Sequence, residues 1–331
     1  MIEKIRYIIT TETTPYKNLA LEEYLLHHAG ENECILYLWQ NEKTVVIGKN
    51  QNPWKECKTA ELEAAGGRLV RRLSGGGAVF HDLGNLNFTF LAAKDNYNVE
   101  RQLDVILEAV RLLGIPAEKT GRNDISVEGR KFSGNAFYSD GNHSYHHGTI
   151  LVNVDMVMLS HYLNVSRDKL VSKGVKSVRS RVTNLTEYNA ALTIDRMKME
   201  LIKAFQKIYD RKPELIELDQ INQEELMLLE QKFSSWDWIY GRKLEFNYSI
   251  SHRFLWGDID MKLEIQSGRI KDCIIYSDAL ITEPFEQIPA ILKDCEFSSA
   301  AIAMKLGNYS KSLQEVAYIK DMIQLILDEN I

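Results

Sequence analysis

The chain has 331 residues, 45% of them hydrophobic and 26% charged, with 19 glycines and 6 prolines. These values describe a folded globular protein of one large or two ordinary domains and exclude disordered and collagen-like chains. Forty Lys plus Arg against 46 Asp plus Glu leave a net charge of −6, and with a pI near 5.8 the basic footprint of a nucleic-acid binder is missing. The N-terminal residues lack the pattern of a secretory signal, and no run approaches the roughly 18 to 20 apolar residues that span a bilayer, so a cytoplasmic protein without membrane insertion is expected. Cys34, Cys57, Cys273 and Cys295 are scattered, with no C-x-x-C pair and no Cys/His cluster. They are expected as reduced thiols, not as a disulfide framework or a zinc site.

In chain order, Leu21, Tyr24, Leu25 and His28 fall at helical spacing, which predicts an amphipathic helix over 16–29 closed by Gly30. Two short apolar runs follow, Ile35 to Trp39 and Thr44 to Ile47, in a hairpin-like arrangement. Val99, Leu103, Ile106, Leu107, Val110 and Leu113 share one face of a helix that must stop at Gly114 and Pro116. Asp124 to Val127 and Arg130 to Ser133 read as strands joined by a tight Glu128-Gly129 turn. His147 to Val154 reads as another strand, and the spans 196–210 and 222–233 as helices. From Leu244 the texture changes to alternation in LEFNYSI and MKLEIQSGRIKDCIIYS, an antiparallel pair around Ser267-Gly268, followed by three helical stretches. The boundary this change marks divides the chain into 1–245 and 246–331.

The densest chemistry lies in Arg71-Arg72-Leu73-Ser74-Gly75-Gly76-Gly77-Ala78-Val79-Phe80-His81-Asp82. Three successive glycines permit close approach to the backbone, and two planar guanidinium groups suit phosphate or carboxylate, so an anionic ligand is the natural reading. A flexible loop with two solvated arginines is the alternative. GxxxxGK[ST] is absent, and Phe80 stands where the dinucleotide-binding fingerprint needs a third glycine. A second cluster runs from Gly121 to Ala136 and holds Lys131 just past the tight turn. There it either aims one positive charge at a reacting centre or sits on the surface paired with Asp124. His146-His147-Gly148-Thr149 is equally open between ligand contact and scaffold.

Together, the runs RRLSGGGAVFHDLGNLNFTF, GRNDISVEGRKFSGNA and HHGTILVNVD, in this order and spacing, closely resemble lipoate-protein ligases, with SVRSRVTNL at 177–185 extending the likeness. The resemblance implies an α+β fold: a mixed, largely antiparallel sheet flanked by helices, as in class II aminoacyl-tRNA synthetases and biotin ligases, with a small α+β C-terminal domain. The residues 1–245 would be the catalytic domain and 246–331 the accessory domain. It implies that ATP activates lipoate to lipoyl-adenylate with release of pyrophosphate. The lipoyl group then passes to a lysine ε-amine on lipoyl domains of acyltransferase E2 subunits or glycine cleavage H protein, with no acyl-enzyme. By the same resemblance Arg72 and the backbone of Gly77, Ala78, Val79 and Phe80 hold the adenylate, Ser74 belongs to the substrate- and ATP-binding set, and Lys131 contacts the lipoate carboxyl oxygen and the α-phosphate. His81, Asn85, Asn123, Asp124, His147, Gly148 and Thr149 complete the substrate- and ATP-binding set. Val79, Phe88 and Ala136 are expected to line an apolar slot for lipoate, and Asp124 to hold Mg²⁺.

Lys169, Lys173, Lys176, Arg179 and Arg181 form a basic run with no acid among them. It reads either as a solvated face or as an adenylate-covering or docking segment for an acidic lipoyl domain. A monomer is the expected working unit. The competing readings are an ATP-independent octanoyl or lipoyl transferase, which needs a cysteine nucleophile, biotin ligation, and a non-catalytic lipoate-binding protein.

Overall fold

The computed structural model describes residues 1–121, 124–164, 181–241, 244–309, 313–329 and 331. The basic run, apart from Arg181, and Asn123 lie outside the described residues. The chain divides into two compact units, Met1–Val46 with Trp54–Arg71 and Ala78–Ile239, and Ile47–Pro53 with Arg72–Gly77 and Tyr240–Ile331.

In the first unit the elements run β1 (Lys4–Ile9), α1 (Pro15–His27), β2 (Glu33–Trp39), β3 (Thr44–Ile47), α2 (Pro53–Glu56), α3 (Thr59–Ala64), β4 (Arg68–Arg71), β5 (Val79–His81) and β6 (Asn85–Ala93). There follow α4 (Val99–Leu112), β7 (Ala117–Thr120), β8 (Asp124–Val127), β9 (Arg130–Ser139), β10 (His143–Leu151) and α5 (Met156–Tyr162). Helix Ile194–Tyr209, the two-residue strand β11 (Glu214–Leu215) and helices Gln223–Ser234 and Trp236–Tyr240 complete it, with Ile47, Pro53 and Tyr240, at the ends of their elements, belonging to the second unit. Among the described residues the main sheet has the order β11-β1-β2-β6-β10-β9-β8-β7. Its β1 runs parallel to β11 and β2, and every other pair is antiparallel. The expected mixed, largely antiparallel α+β architecture is thus the observed one.

Strand alternation decides what this sheet buries. Leu86, Phe88 and Phe90 of β6, Ile125 and Val127 of β8 and Phe132 of β9 face the apolar side of α4 and of helix Ile194–Tyr209 in one cluster. Phe88 is therefore core, fully buried, and does not line a slot on the opposite face. Helix α4 begins where the Asn98 side chain accepts the Arg101 N–H and stops before Gly114, whose φ of +79° reverses the chain.

Residues 35–39 and 44–47 do not form the expected hairpin. β2 lies between β1 and β6, whereas β3 belongs to a separate sheet of order β4-β3-β5. The connection is drawn onto α1: Asn18 Nδ2 donates to the Gln40 carbonyl at 2.8 Å and to Asn41 Oδ1 at 3.0 Å. That anchor turns the chain out of the main sheet before β3 begins.

In the second unit β12 (Tyr248–Phe254), β13 (Gly257–Gln266) and β14 (Arg269–Ser277) form an antiparallel sheet, and β13 turns into β14 at Ser267 and Gly268, both at positive φ. Helices Glu283–Leu292, Ser299–Gly307 and Leu313–Glu329 cover a core that includes Leu263, Ile270, Ile288, Leu292, Ile302 and Leu306. The two early excursions are hydrogen-bonded into this unit. Asn50 accepts the Ser277 N–H at 2.9 Å, and the Ala279 carbonyl accepts the Gly76 N–H at 2.9 Å.

Candidate active site

Glu128 (φ +51°) and Gly129 (φ +73°) make the two-residue turn between β8 and β9, the geometry that matches strand twist in a hairpin. Beyond it the register is Val127↔Arg130, Ser126↔Lys131, Ile125↔Ser133 and Asp124↔Gly134. Phe132 is the extra residue of a β-bulge, and its ring is buried in the core. A bulge changes which face the following side chains take. Lys131 and Gly134, three residues apart, would point to opposite faces of a regular strand; here both share the face of Ser126 and Asp124. Lys131 Nζ reaches Asp124 Oδ1 at 2.6 Å, with the lysine side chain 29% exposed. The backbone is fixed on the other edge, where Lys131 N–H donates to the Arg181 carbonyl at 2.8 Å and Thr183 N–H donates to the Lys131 carbonyl at 2.9 Å.

The same sheet face carries Ala136 and His147, which are register partners, and Thr149, whose partner on β6 is Asn87. Thr149 Oγ1 accepts the Gly134 N–H at 3.3 Å. His147 Nδ1 lies 2.8 Å from Glu22 Oε1, and the same oxygen accepts from Thr89 Oγ1 at 2.7 Å. Thr89 in turn accepts from Trp39 Nε1 at 3.1 Å, and the Trp39 ring stands edge-on to His81. His81 Nδ1 lies 3.2 Å from the Asn41 amide. Asn85 donates to Asn87 Oδ1 at 2.8 Å, leaving Asn85 Oδ1 and Asn87 Nδ2 buried with no partner among the described residues. Buried polar atoms of that kind need an explanation, and a ligand or water on this face supplies one.

His146 and Gly148 face the other way. His146 sits among Phe88, Phe90 and Phe137, its Nε2 2.8 Å from Asn135 Oδ1. Burial pushes its pKa down to about 3, so the ring is neutral. A Cβ on Gly148 would meet the Phe88 ring at 2.7 Å and the Gly134 carbonyl at 2.6 Å, so packing alone accounts for glycine there.

The glycine-rich loop belongs to the second unit as far as Gly77. Arg72 is buried and folded onto its own loop: Nε donates to Ser74 Oγ at 3.0 Å, and Nη2 to the carbonyls of Gly75 at 2.7 Å and Gly77 at 2.8 Å. The three glycines have different reasons. A Cβ on Gly75 would collide with the Ala279 and Leu280 carbonyls, Gly76 has φ +89°, and Gly77 is exposed, with nothing among the described residues within 4 Å of a Cβ. Arg71 is not aimed at a ligand. Its guanidinium donates to the Trp238 and Ile239 carbonyls, and Trp238 Nε1 donates back to the Arg71 carbonyl at 2.8 Å. In the first unit, Ala78 and Val79 are half-buried, and Phe80 packs on Tyr162 with ring centroids 5.5 Å apart.

The structure therefore brings Lys131, Asp124 and Thr149 together, places His147 and Asn85 on the same face, and sets His81 against Trp39. Glu22, Thr89 and Trp39 were not read from the sequence. Glu22 is one of three buried polar residues of α1, with Asn18 and Glu23, and a helix glutamate carries no periodic signal of its partner.

The model of the lipoyl protein ligase A/B catalytic domain matches residues 14–206, and that of the bacterial lipoate protein ligase C-terminus matches 243–329. The chain is 40% identical to a lipoate-protein ligase A of Psychrobacter cryohalolentis, over 98% of this chain and 99% of that one. It is 38% identical to one of Bdellovibrio bacteriovorus, over 91% of each. Among solved structures it is similar to P. falciparum LipL1 in complex with lipoate, at 30% identity and a TM-score of 0.87, over 98% of this chain and 99% of that one. It is also similar to a lipoate-protein ligase A bound with ATP, at 25% identity and a TM-score of 0.62, over 73% of this chain and 99% of that one. On these grounds the chain belongs to the lipoate-protein ligase family and is a ligase.

Proposed function

We propose that this chain joins lipoate to protein in two steps. Lipoate's carboxylate attacks the α-phosphorus of ATP, with pyrophosphate leaving, and the ε-amine of an acceptor lysine then attacks the lipoyl carbonyl, with AMP leaving. The acceptor is a lipoyl domain of an E2 acyltransferase or of glycine cleavage H protein, and the working unit is a monomer in the cytoplasm. The observation that carries this reading is Lys131, a single ammonium aimed by a bulge across a polar sheet face beside Asp124. Negative charge shifts between carboxylate and phosphate oxygens in the first step, so a preorganised cation is what the chemistry demands.

Lys131 is the proposed catalytic residue, in contact with the carboxyl oxygen and the α-phosphate. The exposed backbone at Gly77 is open to a phosphate, and Arg72 keeps that backbone in shape. Ala136 and His147 are proposed to border the lipoyl chain. Asp124 suits Mg²⁺, because that ion arrives with a triphosphate and takes only one or two carboxylates along with phosphate oxygens and water. The ion would neutralise phosphate charge. The proposed division of labour is catalysis by 1–245 and an accessory role for 246–331.

Transfer through a cysteine is the weaker reading on physical grounds. Burial pushes the thiols of Cys34 and Cys57 up to about 12, and a thiol that stays protonated is no nucleophile. The test is lipoate-dependent pyrophosphate release. The folded Lys131→Ala protein should lose at least about 100-fold, roughly 3 kcal/mol of transition-state stabilisation. Near-normal release by that variant would remove Lys131 from the mechanism.

A further inference from the structure

Gly134 has no positive φ, sits inside strand β9, and packs against no wall of the core. Among the described residues its missing side chain answers to one neighbour. A Cβ built there would lie 2.6 Å from Lys131 Nζ and 2.8 Å from Lys131 Cε, while the next atom, Thr149 Oγ1, is 3.9 Å away. The lysine thus crosses directly over the bare Cα of Gly134 on its way to Asp124, which is Gly134's register partner. The crossing exists only because the Phe132 bulge brings positions 131 and 134 to one face. Van der Waals contact for a methyl group begins near 3.4 Å, so any side chain at 134 must push the ammonium off this path.

We infer that Gly134 is a positioning residue: its lack of a side chain forms the track that sets where the Lys131 ammonium sits. The inference rests on the reading of Lys131 as the charge that stabilises adenylation. The obstructed atoms are the far end of a flexible chain, so Gly134→Ala folds and moves the lysine without breaking the strand. Displacing a catalytic group by about 1 Å can cost about 100-fold in rate.

The experiment is a cycle of four full-length proteins: wild type, Gly134→Ala, Lys131→Ala and the double variant. Each is assayed with Mg-ATP and lipoate for the kcat and KM of pyrophosphate release, and for thermal stability. Gly134→Ala is expected to lower kcat by 10- to 100-fold, to leave the KM for lipoate within about threefold, and to keep its melting temperature. In the Lys131→Ala background the same substitution should change kcat by less than about twofold, since the group it displaces is gone. If Gly134→Ala is destabilised alone, the inference requires that the double variant recover stability. Full kcat in Gly134→Ala, an equal loss in both backgrounds, or destabilisation that persists without the lysine would each overturn it. Absence of lipoate-dependent pyrophosphate release from wild type would instead overturn the ligase reading, so the two failures are distinguishable.

Discussion

His146 and His147 are consecutive, yet alternation on β10 sends one ring into aromatic core and the other to the polar face against Glu22. The consequence for His146 is measurable. Its pKa falls from an ordinary 6.5 to about 3 on folding because burial penalises the charged ring. Between those values the unfolded chain binds a proton that the folded chain does not. The stability this group contributes is therefore complete above pH 6.5 and is lost as pH falls, by about 1 kcal/mol for each pH unit. Chemical denaturation between pH 6.5 and 5 should show that slope in the wild type, and His146→Phe should lack it. Lys131 was legible as a functional candidate because its surroundings are written locally, in the turn and small residues of one hairpin. The Glu22–Thr89–Trp39 chain was not, since it joins positions 67 and 50 residues apart in sequence.

At the scale of elements, helix Val99–Leu112 and the β13–β14 hairpin were readable because period and turn chemistry agree in each. The Phe132 bulge was not. A run of Lys-Phe-Ser-Gly is compatible with an unbroken strand, and only the competition between core burial of Phe132 and the pairing of β8 inserts the extra residue. The separation of β3 from β2 depends likewise on Asn18, far away in sequence. The join between β6 and the end of β10 offers a test of such packing. Gly84 accepts N–H bonds from Val152 and Asn153, and a Cβ there would collide with the Asn153 carbonyl. Gly84→Ala should cost about 1–3 kcal/mol in urea unfolding; an unchanged midpoint would show that the close approach is not needed.

At the scale of the whole molecule, the chain leaves its first unit twice before the final excursion, contributing Ile47–Pro53 and Arg72–Gly77 to the second. The sequence texture placed the last boundary near 245, but the early excursions could not be read. Their membership depends on bonds such as Gly76 N–H to the Ala279 carbonyl. The glycine triplet thereby separates structure from function. Gly75→Ala should lower thermal stability, because Ala279 and Leu280 backbone atoms occupy the space. Gly77→Ala, in open space, should keep its stability and raise the KM for ATP, if a phosphate lies against that backbone. Equal effects of the two substitutions on stability would contradict this assignment.

The decisive measurement is the intact mass of an acceptor lipoyl domain incubated with this protein, lipoate and Mg-ATP. If the chain is an ATP-dependent ligase, the domain gains a lipoyl mass that requires both ATP and lipoate, and gains none with Lys131→Ala. A mass increase that needs no ATP and draws only on an acyl carrier protein, or no increase at all, would contradict that activity.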